Sequence, residues 1–115
     1  VAAGAAGVVC DGYVRDTAAV RALGFPCFSR GTVPTDINGR FEVVSHGAPL
    51  VVDGVTIRRG DLVIADADGI VVVPAELRDD VIAAALEKAA NENLFRSAVA
   101  DGMKPSEAFA RFGVL

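Results

Sequence analysis

Tryptophan is absent from this 115-residue chain, aromatic residues make up 6% of it, and it has two cysteines and one histidine. Basic runs are missing too: no Lys or Arg cluster extends beyond Arg58-Arg59, and 11 basic against 15 acidic residues leave a net charge of −4. That excludes the electrostatic footprint a nucleic-acid binder needs to track phosphates. The longest apolar stretch, Val1 to Cys10, is ten residues with two glycines, against about 18 or more for a membrane-spanning helix. Cys10 and Cys27 lie too far apart for a zinc or redox motif and are too few for a disulfide framework. They read as buried thiols in a reducing compartment, and with no secretory leader pattern the expected location is the cytoplasm. What is present is 52% apolar residues, the profile of one globular domain. A chain of this length buries roughly 65% of its unfolded surface, which is at the small end for an enzyme that must also build a pocket.

The chain opens on apolar Val1-Ala2-Ala3-Gly4 with no initiator methionine, which predicts further sequence upstream. Val8-Val9-Cys10 reads as a short buried strand closed by Asp11-Gly12. Asp16-Thr17 supply capping side chains for a helix through Leu23, with Gly24 as its left-handed stop. Pro26-Cys27-Phe28-Ser29 reads as the next strand, so this segment has the order of a parallel crossover unit. From Gly31 onward, turn signals at Pro34, Asn38-Gly39, Pro49, Asp53-Gly54 and Asp68-Gly69 punctuate short Val-rich runs and predict a β-rich meander. Leu50–Ile57 is its clearest hairpin, because Asp53-Gly54 accepts the positive backbone angles of a two-residue primed turn. Leu62–Ala65 and Ile70–Val73 are continuous apolar runs that suggest strands covered on both faces. After Pro74, residues 75–100 read as one long helix or two consecutive ones. Leu77, Val81, Ala84, Ala85 and Lys88 lie on one face, and Arg78, Asp79, Asp80 and Glu87 on the wet one. Asp101-Gly102 stops it, and Pro105-Ser106-Glu107 starts a last helix with Phe109 and Phe112 on its apolar edge.

Few residues suggest chemistry. Gly12-Tyr13-Val14-Arg15-Asp16 sets a guanidinium beside a carboxylate at a strand-to-helix junction. Arg15 can clamp a planar carboxylate through two parallel hydrogen bonds, and Asp16 can hold a hard divalent cation, since Mg²⁺ accepts one or two protein carboxylates with several waters. Asp16 is equally suited to capping the helix, which is worth about 1 kcal/mol with no catalytic role. Asp66-Ala67-Asp68-Gly69 fails as a calcium loop, since Val71 stands where the turning glycine belongs and Leu77 where the closing glutamate belongs. It reads as a hairpin turn. His46 lies beside Gly47 with no acidic neighbour and reads as a strand-end surface residue. The serines sit in no nucleophile elbow, and neither GxGxxG nor GxxxxGK[ST] occurs.

Four separated blocks nevertheless resemble one family in the right order: Gly4–Val9, Asp11–Asp16, Gly24–Phe28 and Gly60–Pro74, with Glu107-Ala108-Phe109 and Phe112–Leu115 closing the match. Together they look like the RraA-like proteins, the family of the regulator of ribonuclease activity A and the 4-hydroxy-4-methyl-2-oxoglutarate aldolases. The resemblance implies an α/β fold, a swivelling-type β/β/α sandwich with a β-rich centre and C-terminal helices, as a single domain over residues 1–115. It also implies assembly as a homotrimer or hexamer. For the aldolase branch it implies a class II pyruvate aldolase: Mg²⁺ or Mn²⁺ held by Asp16, a small 2-oxo acid substrate bound by Arg15, and oxaloacetate decarboxylation as a second activity. Glu92, on a neighbouring subunit's C-terminal helix, is the candidate to arrange a metal-bound water. The family also carries an upstream half with a Gly-Asp loop that cradles the substrate carboxylate. That half is expected from preceding sequence or from a second chain. The regulator branch, which binds and inhibits ribonuclease E, shares most of these blocks, so Arg15-Asp16 does not decide between the two.

Overall fold

The structure is a computed structural model that describes residues 2–113. It divides into two compact units, Val1–Val72 and Val73–Leu115, and is mixed α/β, with short strands first and helices last.

In the first unit the chain runs β1 (Val8–Val9), β2 (Tyr13–Val14), α1 (Thr17–Ala22), β3 (Cys27–Phe28) and β4 (Gly31–Thr32). β1 pairs in parallel with β3, Val8 opposite Cys27, and β2 pairs in parallel with β4, Tyr13 opposite Gly31. This is the crossover order the sequence predicts: the chain runs through β1 and then β2, α1 bridges, and β3 and β4 return parallel to β1 and β2 respectively, in two separate two-stranded sheets. Backbone hydrogen bonds extend each ladder by a residue, with Cys10 N–H donating to the Phe28 carbonyl at 2.9 Å and Val33 N–H to the Val14 carbonyl at 2.9 Å. Gly31 is required where it stands. Its φ is +151°, and a Cβ there would meet the Tyr13 ring at 3.3 Å.

β5 (Leu50–Val52) and β6 (Val55–Ile57) form the expected antiparallel hairpin. Asp53 and Gly54 both have positive φ, 47° and 81°, as a primed two-residue turn demands. β7 (Leu62–Ala65) and β8 (Ile70–Val73) form the next sheet. Their turn is closed by Asp66, whose Oδ1 accepts the N–H groups of Asp68 at 2.8 Å and Gly69 at 3.2 Å. That carboxylate completes a hairpin turn, as the failed calcium pattern implies.

Three expectations about the strands and thiols of this region need correction. Residues 33–49 contain no strand, so the meander is interrupted. Pro34 and Pro49 supply no N–H for a ladder, and the one turn at residues 38–40 brings no partner strand alongside. β7 and β8 are not covered on both faces within this chain, since Ile64 and Val71 remain exposed. Cys10 and Cys27 are half-buried rather than fully buried, and both are free thiols.

The second unit is helical: a 3₁₀ turn, Ala75–Leu77, then α2 (Arg78–Ala100) and α3 (Pro105–Phe112). Pro105 opens α3 in the first turn, where its missing N–H costs nothing. Gly102, at φ 98°, lets the chain turn between the helices. α3 packs against α2. The half-buried positions of α2 are Asn91, Glu92, Phe95, Ala98 and Val99, a stripe at helical spacing in its C-terminal half. The periodic set of Leu77, Val81, Ala84, Ala85 and Lys88 is instead exposed. Buried hydrophobic residues are Val73 and, fully, Ala108. No described helix is long and apolar enough to cross a membrane.

Candidate functional site

Parallel pairing of β2 with β4 aims the carboxyl ends of both strands at the same edge, the position at which open α/β sheets build ligand sites. Arg15 follows β2 directly, and Thr32 ends β4. There Arg15, Asp16, Thr17, Thr32, Val33 and Pro34 line a cavity of about 350 Å³. Arg15 also borders an adjoining apolar cavity of about 380 Å³ shared with Val14, Val20 and Phe25. The stem of this long side chain can therefore lie against apolar groups while its head stays polar.

Asp16 does not cap α1. It occupies the N-cap position in left-handed conformation, φ 59° and ψ 29°, and makes no side-chain cap hydrogen bond. The helix begins on its backbone instead, the Asp16 carbonyl accepting the Val20 N–H at 3.1 Å. The capping expectation thus fails for a conformational reason: with φ positive the carboxylate is not aimed at the first-turn donors. Left-handed backbone at a non-glycine residue costs about 1–3 kcal/mol, and such positions cluster at functional sites. The carboxylate is exposed, with Oδ2 3.4 Å from Arg15 Nε.

Arg15 has a second acidic neighbour. Its Nη1 donates to Asp36 Oδ2 at 2.9 Å across 21 residues. Asp36 is itself fixed, because its Oδ1 accepts the Asn38 N–H at 2.9 Å and its backbone carbonyl accepts a hydrogen bond from Arg40 Nη1 at 3.1 Å. The Asn38 N–H first, and the Arg15 guanidinium second, hold the Asp36 carboxyl below its ordinary value of 3.8. Sequence reasoning missed Asp36. Its signal was the Asp-x-Asn-Gly turn at residues 36–39, which reads only as a loop until β2 and β4 are known to be neighbours.

Of the residues lining the cavity, Asp16, Thr17 and Thr32 carry side-chain oxygens. No group of three or more His, Cys, Asp or Glu side chains that could hold a metal gathers among the described residues. One carboxylate with hydroxyls suits a hard cation that keeps several waters rather than a closed protein cage. Glu92 lies on α2 in the second unit, half-buried on the stripe described above, with Oε2 3.9 Å from Arg96 Nη2 one turn on. His46 is exposed in the strandless stretch.

The RraA-like family, described as aldolase/RraA, matches residues 1–72, the segment that contains β1 to β7 and the whole Arg15–Asp16–Asp36 cluster. The chain belongs to the RraA-like family. Among relatives of this RraA-like chain, a protein named "Putative 4-hydroxy-4-methyl-2-oxoglutarate aldolase" from Halalkalibacterium halodurans is 36% identical over 106 residues, 92% of this chain and 50% of the relative. A protein of the same name from Deinococcus radiodurans is 41% identical over 70 residues, 61% of this chain and 43% of the relative. An uncharacterized protein from Pseudomonas syringae pv. tomato, known from its crystal structure, superimposes with a TM-score of 0.86 at 35% identity, covering 91% of this chain and 52% of its own. The chain thus spans about half the length, or less, of the relatives it matches.

Proposed function

We propose that this RraA-like chain is part of a divalent-metal-dependent carbon–carbon lyase. It releases pyruvate from 4-hydroxy-2-oxo acids of the 4-hydroxy-4-methyl-2-oxoglutarate type and decarboxylates oxaloacetate. The observation that carries the reading is Asp16: a charged side chain at a strand exit, held in left-handed backbone, beside an arginine, and not used to cap the helix it precedes.

In this reading Arg15 binds the carboxylate of the 2-oxo acid, with the planar fork of its guanidinium fixing the orientation of the substrate. Asp16 holds Mg²⁺ or Mn²⁺, with Thr17 and Thr32 offering further oxygens at the cavity wall. The cation, when bound, supplies Lewis-acid polarisation of the carbonyl next to that carboxylate. The apolar residues Val14, Val20 and Phe25 of the adjoining cavity offer the stem of Arg15 an apolar wall. Glu92 of a neighbouring subunit in a cytoplasmic trimer or hexamer orients a water at the site. Upstream sequence or a second chain supplies the loop that cradles the remaining carboxylate. The two-stranded sheets of the first unit then belong to a β/β/α sandwich of the swivelling type.

The test is pyruvate release by the full-length protein from oxaloacetate and from 4-hydroxy-4-methyl-2-oxoglutarate, with Mg²⁺, with chelator, and with Asp16→Ala. Release is expected to need the metal and to fall by about 10²- to 10⁴-fold in the variant, the range a lost Lewis acid implies. Release no higher than that of the metal ion alone would overturn the lyase in favour of a non-catalytic regulator that binds a ribonuclease.

A further inference from the structure

We propose that Asp36 is a positioning residue for Arg15: it anchors Nη1 of the guanidinium so that the remaining N–H groups stand ready for the carboxylate of a 2-oxo acid. The proposal rests on the reading of Arg15 as the substrate-carboxylate ligand and extends it to a residue outside the Arg15-Asp16 pair.

Arginine carries five N–H donors in a rigid plane, but that plane is mounted on a flexible stem, and a half-exposed arginine at a strand exit has many rotamers to lose on binding. Here two carboxylates restrain it on adjoining edges, Asp16 Oδ2 at 3.4 Å from Nε and Asp36 Oδ2 at 2.9 Å from Nη1. Nη2 makes no hydrogen bond within the described residues. With Nη1 hydrogen-bonded to Asp36 and Nε only ion-paired to Asp16, the guanidinium keeps both N–H groups of Nη2 for a planar carboxylate to engage.

Asp36 is built to hold still. Its second oxygen accepts the Asn38 N–H, its carbonyl is held by Arg40, and the segment that carries it leaves β4 through the Val33 N–H to Val14 carbonyl bond. Both ends of the Arg15–Asp36 contact therefore hang from the same parallel ladder. The ladder fixes their separation in a way that the 21-position span of chain alone would not. A negative charge near an anion site also repels the anion, but Asp36 and Arg15 are both about half exposed, so water screens that effect. The ordering of Arg15 is the larger contribution, and pre-ordering one long side chain is worth up to about tenfold in affinity.

The test uses oxalate, a planar dianion that presents a carboxylate beside a second sp² oxygen as a 2-oxo acid does. Calorimetry with Mg²⁺ measures its binding to the full-length protein, to Asp36→Asn, to Arg15→Gln and to the double variant. Asparagine keeps the oxygen that accepts the Asn38 N–H, so the turn survives and only the anchor charge is lost. Circular dichroism and a thermal melt verify the fold. Asp36→Asn is expected to weaken oxalate binding roughly tenfold and to raise KM for the substrate while kcat stays within about threefold. In the Arg15→Gln background the same substitution is expected to change affinity less than twofold, because Asp36 acts only through Arg15. Unchanged or tighter binding by Asp36→Asn, or additive losses in the double variant, would overturn the proposal while leaving Arg15 as ligand. Wild-type binding that does not depend on Arg15 would overturn the site reading and the proposal with it.

Discussion

The exits of β2 and β4 and the stretch at residues 38–49 lie close in sequence but meet water in opposite ways. At the exits the charged groups answer one another: Arg15 lies between Asp16 and Asp36, and Asp36 is in turn held by Asn38 and Arg40. A few residues on, Phe41, Val43 and Val44 are 75%, 86% and 88% exposed. The difference teaches what each kind of order requires. A polar cluster completes itself as soon as a two-residue parallel ladder brings its members together. An apolar run gains nothing until a second surface removes it from water.

The strongest way to break this contrast is to damage the ladder under the cluster. Gly31→Val puts a β-branched side chain at φ +151° and within 3.3 Å of the Tyr13 ring. The strain and the overpacking together are expected to cost about 1–3 kcal/mol, read from chemical denaturation. If the ladder positions Arg15 and Asp36, oxalate affinity in this variant falls at least as far as in Asp36→Asn. An unchanged affinity in a destabilised protein would show that the cluster holds together without β4.

What the sequence could reveal follows the same division. The Asp53-Gly54 hairpin, the Pro105 helix start and the strand–helix–strand order were legible because each depends on backbone preferences within a few residues. Arg15-Asp16 was legible as a charged pair, but whether Asp16 caps α1 or stands free depends on a single φ angle that composition does not report. Asp36 was not legible, because only the register that sets Val14 opposite Thr32 brings it to Arg15, 21 positions away. The continuous apolar runs of β7 and β8 were read as covered strands. Periodicity marks which face seeks cover but cannot say whether this stretch of chain contains the cover.

A gentler perturbation is pH, which removes the charge of Asp36 without changing the chain. Its carboxyl titrates below its ordinary value of 3.8 in the folded protein, through the Asn38 N–H first and Arg15 second. A depressed folded value means that the unfolded chain takes up the proton first as pH falls. The contribution of Asp36 to stability is therefore complete above the ordinary carboxylate range and is lost as pH drops through the lower folded value. Wild type is expected to be more stable than Asp36→Asn at pH 7, and the two thermal melting curves to converge toward pH 2. A gap that persists at pH 2 would mean that the charge of Asp36 contributes nothing to the fold.

The smallest expected effect comes from the uncovered side of the comparison. Val43→Ser and Val44→Ser remove apolar groups that water already reaches, so in this 115-residue chain each is expected to change stability by less than about 0.5 kcal/mol, as surface substitutions do. In the full-length protein the same pair becomes a reporter of cover. Burying a valine side chain is worth roughly 1.5–3 kcal/mol, so a loss of that size seen only in the longer protein would locate residues 43–44 beneath a surface this chain lacks. Equal and small effects in both would mean that the stretch stays wet. The contrast with the Arg15 cluster would then hold in both.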